Sequence, residues 1–275
     1  MSVVVPTRNR AAYLEVALAS ILSQELDEPF EVIVVDDAST DETATTAERL
    51  GARVIRQPDR RGPNAARNAG IAATRAELIV LVDDDVAAPP GWLRALREGS
   101  LGHPDADVFG GPIRARFDGP APRSCGREAP PITTLDLGSA DRDVDAVWSA
   151  NMALRRATWE HVGPFPEEAA VGGDEEEWLV AVRSRGGRIV YLAQAMIEHR
   201  RAGADARLAS LARAAYSRGR SVRAWDERRG EPPSLGRELR VLGGCAWHAA
   251  ARACPQGLIM GAHSLGRTVE ALRPR

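Results

Sequence analysis

The stretch Leu78-Ile79-Val80-Leu81-Val82 is followed directly by three aspartates, Asp83-Asp84-Asp85. A short apolar run rich in β-branched residues indicates a buried strand, and burial on both faces is typical of a parallel sheet. Ligands of open α/β sheets bind outside the carboxyl ends of the strands. Adjacent carboxylates repel one another unless a cation lies between them, and oxygen ligands suit Mg²⁺ or Mn²⁺. The triplet therefore indicates a metal that carries a diphosphate, with a solvated acidic turn as the alternative.

Strands and helices alternate around this stretch. Further apolar strands are predicted at residues 2–5, 30–35 and 53–55, and helices at 11–24, 41–50, 64–74 and from 92. This alternation predicts an α/β fold with a parallel, doubly wound sheet. After residue 107 the rhythm changes, with strands predicted at 108–113, where glycines bend the strand, at 147–154 and at 189–192, and with a helix at 175–185. Residues 120–131 are rich in Pro, Gly and Arg and predict a mobile loop.

Composition limits the class of protein. The chain has 275 residues, of which 44% are hydrophobic, so it can bury a sizeable core. No apolar stretch approaches the roughly 20 residues that span a bilayer, and a strand begins at once, so no signal peptide is expected. Cys125, Cys245 and Cys254 match neither a zinc site nor a disulfide framework. We therefore expect a protein of the cytoplasm.

Charge is distributed unevenly. Residues 200–275 carry about 15 arginines against 6 acidic residues, although the whole chain has a net charge of −2. The chain contains no lysine, which excludes mechanisms that need one. Periodic apolar residues predict basic amphipathic helices here. Docking on the acidic part of the chain would make Trp225, Trp247 and Leu258 core residues. An anionic membrane surface and a homodimer contact are the alternatives, and no nucleic-acid partner is expected.

Polar groups also follow the first two predicted strands. Pro6-Thr7-Arg8-Asn9 follows the first strand, where an ordinary turn is the alternative. Asp36-Asp37 follows the second strand and could accept hydrogen bonds from a base or a ribose, with helix capping as the alternative. At residues 62–70 a glycine turn opens a helix that could bind an anion, and Arg67 could pair with a phosphate. A surface helix with a packing glycine is the alternative there.

Two later features complete the set of candidates. Gly172-Gly173 precedes the four acids Asp174-Glu175-Glu176-Glu177. A carboxylate held there could be a general base, although acids at a helix start also suit the helix dipole. His199 at a strand end could bind a metal or a phosphate, whereas a single histidine is more often a packing residue.

Taken in order, these motifs resemble the family 2 glycosyltransferases of the GT-A fold. The resemblance rests on Val3-Val-Val-Pro6-Thr7-Arg8-Asn9-Arg10, Val34-Val35-Asp36-Asp37-Ala-Ser-Thr-Asp41, Ala66-Arg67-Asn68-Ala-Gly70, Leu81-Val82-Asp83-Asp84-Asp85, Trp148-Ser-Ala-Asn151 and Gly173-Asp174-Glu175. It implies a Rossmann-like, mostly parallel central sheet flanked by helices in residues 1–201. Within this domain, residues 1–107 would form the nucleotide-binding half and 108–201 the acceptor half, followed by a basic helical region at 202–275.

The resemblance also implies roles for the site residues. Those that would contact the nucleotide sugar are Pro6, Thr7 and Arg8 at the base pocket, Asp37 on the base with Asp36 in support, Arg67, and Asp83 or Asp84 on the ribose or sugar. Those that would bind Mn²⁺ or Mg²⁺ are Asp85, Asp83 and His199. Trp148 and Asn151 would face the acceptor. Glu175 would be the general base, with Asp174 as the alternative, because the family's Glu-Asp pair is Asp-Glu here.

The implied reaction moves one sugar from a nucleotide sugar to an acceptor with inversion of the anomeric centre. The Gln-x-x-Arg-Trp motif of processive relatives is absent, which favours a single transfer over polymer synthesis. A UDP-sugar is favoured over a dTDP- or GDP-sugar. The acceptor is open among a glycan, a lipid-linked sugar, a natural product and a peptide. A catalytically silent nucleotide-sugar-binding protein is an alternative, and a sugar nucleotidyltransferase, which would need a lysine, is a weaker one. The expected location is the cytoplasm or the inner face of the membrane.

Overall fold

The computed structural model describes residues 1–119, 132–167, 174–230 and 232–273. The predicted loop at 120–131 and the pair Gly172-Gly173 lie outside these ranges, as does the side chain of Asp174. The strands are β1 Ser2–Thr7, β2 Glu31–Asp36, β3 Arg53–Arg56, β4 Leu78–Val82, β5 Val86–Ala87, β6 Val108–Gly110, β7 Ile113–Asp118, β8 Arg142–Asp143, β9 Asn151–Arg155, β10 Ile189–Tyr191 and β11 Ile197–Ala202. The helices are α1 Ala11–Leu22, α2 Thr43–Arg49, α3 Pro63–Ala72, α4 Trp92–Gly102, α5 Arg156–Val162, α6 Asp174–Ser184, α7 Leu208–Arg228, α8 Leu235–Arg252 and α9 Pro255–Ala271, with a 3₁₀ turn at Gly203–Ala206.

A central sheet has the strand order β3–β2–β1–β4–β9–β6–β10–β8. Its first four strands run parallel to one another. Strand β9 is antiparallel to both of its neighbours, β4 and β6, whereas β10 runs parallel to β6. The predicted α/β fold with a mostly parallel central sheet flanked by helices is confirmed. The carboxyl ends of β1, β2 and β4 consequently meet at one edge of the sheet.

Both faces of the sheet are buried, as the continuous apolar strands require. Along β4, Val80 and Val82 belong to one hydrophobic cluster, whereas Ile79 and Leu81 belong to a second cluster on the opposite face. The first cluster also contains apolar residues of α1 and α4, and the second contains apolar residues of α3 and α6. Helices therefore cover the two faces, and the strand ends remain as the place for polar side chains.

Two strand predictions need correction. The bent strand predicted at 108–113 is in fact two strands, because Gly111-Pro112 separates β6 from β7 and β7 lies in a second sheet of order β5–β11–β7. A Cβ at Gly111 would lie 2.0 Å from the carbonyl oxygen of Ala195, so the chain can pass here only as glycine. The strand predicted at 147–154 begins only at Asn151, whose N–H donates to the carbonyl of Trp148 in a turn.

The described residues form two compact units. The first contains residues 1–114, 134–167 and 174–200. The second contains residues 115–119, 132–133, 201–230 and 232–273. The domain limits at 1–107, 108–201 and 202–275 stay predictions.

The second unit is built on helices α7, α8 and α9. Gly219 of α7 and Gly266 of α9 let the two helices approach closely, because a Cβ at either glycine would lie about 2 Å from a backbone oxygen of the other helix. Trp247 and Leu258, which would be core residues if this region docked on the acidic part of the chain, are 74% and 53% exposed. Within the described residues, no helix is long and apolar enough to cross a membrane.

Gly70 fixes the distance between α3 and the sheet. A Cβ at this position would lie 2.3 Å from Cγ1 of the buried Val4. We expect Gly70→Ala to lower the free energy of unfolding by about 1–3 kcal/mol through overpacking. Gly102→Ala is the matched control, because a Cβ there meets no atom within 4 Å. Urea unfolding of the two variants measures the difference, and equal stability would contradict this account of the helix packing.

Candidate active site

Three segments deliver the acidic triplet and its neighbours to one place. The triplet Asp83–Asp85 follows β4, and Thr7 ends the adjacent parallel strand β1. Strand β11 pairs with β5 so that His199 lies opposite Val86, the residue after the triplet. The N–H of Arg200 donates to the carbonyl of Asp85 at 2.7 Å, which fixes β11 beside the triplet.

The three aspartates differ sharply in environment. Asp84 and Asp85 are buried, at 4% and 2% exposure, whereas the side chain of Asp83 is 31% exposed. Asp84 accepts a hydrogen bond from Thr7 Oγ1 at 2.7 Å. Asp85 Oδ1 lies 2.8 Å from Nε2 of His199. The triplet is thus not a solvated acidic turn.

Arg10 bridges the two buried carboxylates. Its guanidinium lies 3.1 Å from Asp84 and 3.0 Å from Asp85, and it stacks on the ring of Tyr13 at 4.5 Å. The family motifs assign no role to Arg10. Electrostatics could have identified it, because buried carboxylates need a nearby cation. Arg10 is a cationic residue in the short segment between β1 and α1.

Proton affinities follow from this arrangement. Burial raises the pKa of Asp84 to about 7, with Asp85 and Asp83 adding to the shift while Arg10 and Thr7 oppose it. Burial would lower the pKa of Arg10, but the two carboxylates together raise it above its ordinary value. Arg10 therefore stays charged, and it favours the ionised form of Asp84.

Asp83, Asp85 and His199 can converge on one cation. Each offers one ligand atom, and these atoms lie within 4.8 Å of one another. Two carboxylate oxygens and one imidazole nitrogen suit Mn²⁺ and also Mg²⁺, which keeps several of its waters. The donor set fits the metal that the sequence predicts. Asp84 is not among these donors, and its two oxygens contact Thr7 and Arg10 instead.

The predicted nucleotide residues lie on the same sheet edge. Arg67 on α3 is buried, donates to Asn64 at 2.9 Å and lies 3.4 Å from Asp83. Asp37 accepts hydrogen bonds from the backbone N–H groups of Arg61 and Gly62, so it fixes the loop before α3. Asp36, Pro6 and Thr7 are buried, whereas Arg8 is half-buried. Asp36 accepts from the N–H of Ser39, which shapes the turn after β2.

Glu175 is brought to this edge by an antiparallel strand. The start of β9 lies beside the end of β4, with Asn151 opposite Val82. Glu175 Oε1, in the first turn of α6, accepts a hydrogen bond from the N–H of Ser149 at 3.4 Å. The carboxylate of Glu175 is half-buried and therefore reachable from solvent.

The two residues expected to face the acceptor differ. Trp148 is half-buried and packs against the core. Asn151 is fully buried, accepts a hydrogen bond from Trp92 and donates to the carbonyls of Pro112 and Ala195. The expectation that Asn151 faces the acceptor therefore needs correction, because its amide is used inside the protein. Only Trp148 is carried forward in that role.

Comparison with known proteins assigns the family. Residues 2–163 match the family model described as "Glycosyl transferase family 2", which covers more than half of the chain. The chain belongs to glycosyl transferase family 2. The resemblance drawn from the motifs is thereby confirmed.

Curated relatives and solved structures agree with this family. The chain is 25% identical over 180 residues to "Glycosyltransferase AglE" of Haloferax volcanii, covering 63% of the chain and 58% of that protein. It is 29% identical over 211 residues to "Pre-mycofactocin glycosyltransferase" of Mycobacterium tuberculosis, covering 72% and 42% respectively. The chain thus spans about half the length of these curated relatives.

The S. aureus protein TarS, residues 1–349, has a similar structure. The TM-score is 0.55 at 26% identity, covering 78% of this chain and 64% of that one. A second structure of the same segment, in complex with UDP-GlcNAc, has a TM-score of 0.59 at 19% identity. These likenesses support the GT-A fold for this family 2 member.

The Arg10 bridge makes a prediction for the chain without metal. Arg10→Met leaves Asp84 and Asp85 without their cation, and we expect the free energy of unfolding to fall by about 2–3 kcal/mol in EDTA. This loss is smaller than is usual for a fully buried pair, because the Arg10 side chain is 33% exposed. Mn²⁺ should raise the melting temperature of Arg10→Met more than that of the unaltered protein, since it returns positive charge to the carboxylates. Both effects are measured by thermal and urea unfolding.

Arg49→Met is the control, because the Arg49–Glu15 pair is exposed on both sides and should be worth little. Equal losses for the two variants would contradict a special role for Arg10.

Proposed function

We propose that this chain is a metal-dependent, inverting glycosyltransferase that moves a single sugar from a nucleoside-diphosphate sugar, with a UDP-sugar favoured, to an acceptor. The observation that carries the proposal is a juxtaposition at one sheet edge. Asp83, Asp85 and His199 offer convergent metal ligands there, and the pairing of β9 with β4 brings the Glu175 carboxylate to the same edge. Membership of glycosyl transferase family 2 supports a glycosyltransferase over a sugar nucleotidyltransferase.

The cation site would hold the leaving group. Asp85, Asp83 and His199 would ligate Mn²⁺ or Mg²⁺, which supplies positive charge to the departing nucleoside diphosphate. Arg10 keeps Asp85 in a fixed orientation from the side away from His199. Arg67 adds a buried guanidinium beside Asp83, where it can pair with a phosphate oxygen.

The nucleoside would lie along the ends of β1 and β2. Asp37 already accepts two backbone hydrogen bonds, but a carboxylate has about four lone-pair sites and can accept a further bond from a base N–H. Pro6, Thr7 and Arg8 are the neighbouring residues at the end of β1, and Asp36 supports the turn beside Asp37. Within the triplet, Asp83 is the accessible carboxylate for the ribose or the sugar, since Asp84 is buried under Thr7 and Arg10.

Glu175 would act as the general base. As the acceptor hydroxyl oxygen bonds to the anomeric carbon, its proton passes to the Glu175 carboxylate. The bond between the anomeric carbon and the diphosphate oxygen breaks, and its electron pair leaves with the nucleoside diphosphate. A single displacement of this kind inverts the anomeric centre. The half-buried Trp148, next to Ser149, is the candidate for contact with the acceptor. Asp174 remains the alternative base.

Glu175→Gln tests the base. The amide cannot take up the proton, so we expect turnover to fall by roughly 10²–10⁴-fold while nucleotide-sugar affinity changes little. Release of the nucleoside diphosphate measures turnover, and calorimetry measures donor binding. Glu177→Gln is the matched control, because Glu177 is an exposed acid on the same helix. Unchanged turnover in Glu175→Gln would remove Glu175 from this role, and no turnover in the unaltered chain would favour a silent binding protein.

The metal site is tested by Asp85→Asn. Loss of one carboxylate ligand should weaken Mn²⁺ binding by at least roughly tenfold, as measured by electron paramagnetic resonance of free Mn²⁺. The melting-temperature increase produced by UDP with Mn²⁺ should disappear with it. Asp59→Asn is a control at an exposed acid outside the site. Failure of every UDP-, GDP- and dTDP-sugar to shift the melting temperature of the unaltered protein would overturn the donor class.

A further inference from the structure

Helix α9 presents an apolar strip to solvent. Leu258, Leu265 and Leu272 recur every seven residues and are 53%, 44% and 62% exposed. Ala262 and Val269 lie between them on the same face and are half-buried. An apolar strip of this length on the surface needs an explanation, because scattered single residues are the normal case and a continuous patch marks an interaction site.

Helix α8 runs antiparallel to α9 and carries further exposed apolar residues. Gly257 of α9 packs against Ala249, and Ser264 donates to the carbonyl of Glu238. On the exposed side of α8, Leu239 and Trp247 are 51% and 74% exposed. Together with the α9 strip they form an apolar surface, defined here by Leu239, Trp247, Leu258, Leu265 and Leu272.

Helical geometry puts most of this surface on one side of the helix pair. Arg237 of α8 and Met260 and Arg267 of α9 line a cavity of about 290 Å³. Side chains of residues that are two positions apart in an α-helix point in directions that differ by about 200°. Leu239 therefore points away from Arg237, and Leu265 points away from Arg267. The apolar surface thus lies away from the cavity, and the polar groups of the cavity do not interrupt it.

The charges of α7, α8 and α9 are arranged in one sense. All four acidic residues of these helices are in ion pairs with arginines: Glu270 with Arg220, Glu227 with Arg223, Asp226 with Arg267, and Glu238 with Arg267. Apart from Arg237 at the cavity, the exposed arginines Arg213, Arg228, Arg240 and Arg252 have no ion pair within the described residues. The net charge that these helices present to a partner is therefore positive.

We infer that this surface docks on an anionic phospholipid membrane. Apolar side chains enter the boundary between headgroups and acyl chains, while arginines contact the phosphates. A second copy of the chain is a poorer occupant, because it would bring an equally positive surface against this one. The inference does not use the catalytic site, so its failure would leave the proposed function untouched.

Vesicle flotation of the full chain tests the charge component. We expect binding to vesicles of phosphatidylcholine with phosphatidylglycerol, weakened by salt, and none to phosphatidylcholine alone. Arg213→Gln/Arg240→Gln/Arg252→Gln should reduce the affinity roughly 100-fold, at about fivefold per arginine. The control Arg75→Gln/Arg94→Gln/Arg185→Gln removes three exposed arginines from the other unit and should change little. Equal effects of the two triple variants would overturn the inference.

The apolar component is tested by Leu239→Ser/Leu265→Ser. We expect vesicle affinity to fall by at least roughly tenfold, with the circular-dichroism spectrum and the UDP-dependent melting shift unchanged. Leu101→Ser, at a 62% exposed leucine of α4, is the control. Two results would overturn the inference: no binding to anionic vesicles by the unaltered chain, or light scattering that shows a dimer which the double variant converts to a monomer.

Discussion

Three consecutive carboxylates at the end of a buried strand are the constraint on which the site depends. Two of them are almost completely buried, and an ionised carboxylate is costly to bury without a partner. The chain answers with groups from different segments: Thr7 at the end of β1, Arg10 before α1, and His199 on β11. Because each partner comes from a distant part of the sequence, the charge of the triplet ties the first strand and the last strand to the middle one.

The antiparallel strand β9 determines how the Glu175 carboxylate reaches the same edge of the sheet as the triplet. The four parallel strands β1 to β4 have their carboxyl ends, and the polar groups that follow them, at one edge of the sheet. A further parallel strand would begin at the opposite edge. Strand β9 runs the other way beside β4, so its start, rather than its end, lies at that edge. Ser149 lies two residues before β9, and its N–H donates a hydrogen bond to the Glu175 carboxylate. The buried amide of Asn151 fixes this turn by accepting a hydrogen bond from Trp92 and donating one to the carbonyl of Ala195.

Local patterns predicted what local forces determine. The apolar runs of β1, β2 and β4 and the periodic helices between them follow from burial, so the parallel part of the sheet was predictable. A glycine bend at 108–113 was predicted as well, but the division into two sheets at Gly111-Pro112 was not, because it depends on a carbonyl of Ala195 from another segment. Asn151 resembled an acceptor residue in its motif, yet its burial is decided by Trp92 and two remote carbonyls. Arg10 was missed because its role appears only when the carboxylates are known to be buried.

The absence of lysine from the chain has a structural consequence. Arg10 spans Asp84 and Asp85, and Arg267 spans Glu238 and Asp226. A guanidinium presents donors in a planar fork and can reach two carboxylates at once, whereas an ammonium is a compact point charge that must sit between them. In the first unit this bridging fixes the positions of Asp84 and Asp85. In the helical unit every acidic residue of α7, α8 and α9 is in an ion pair with an arginine, so the remaining arginines determine the charge of the surface. One residue type thus neutralises the carboxylates of the site and makes the helices cationic.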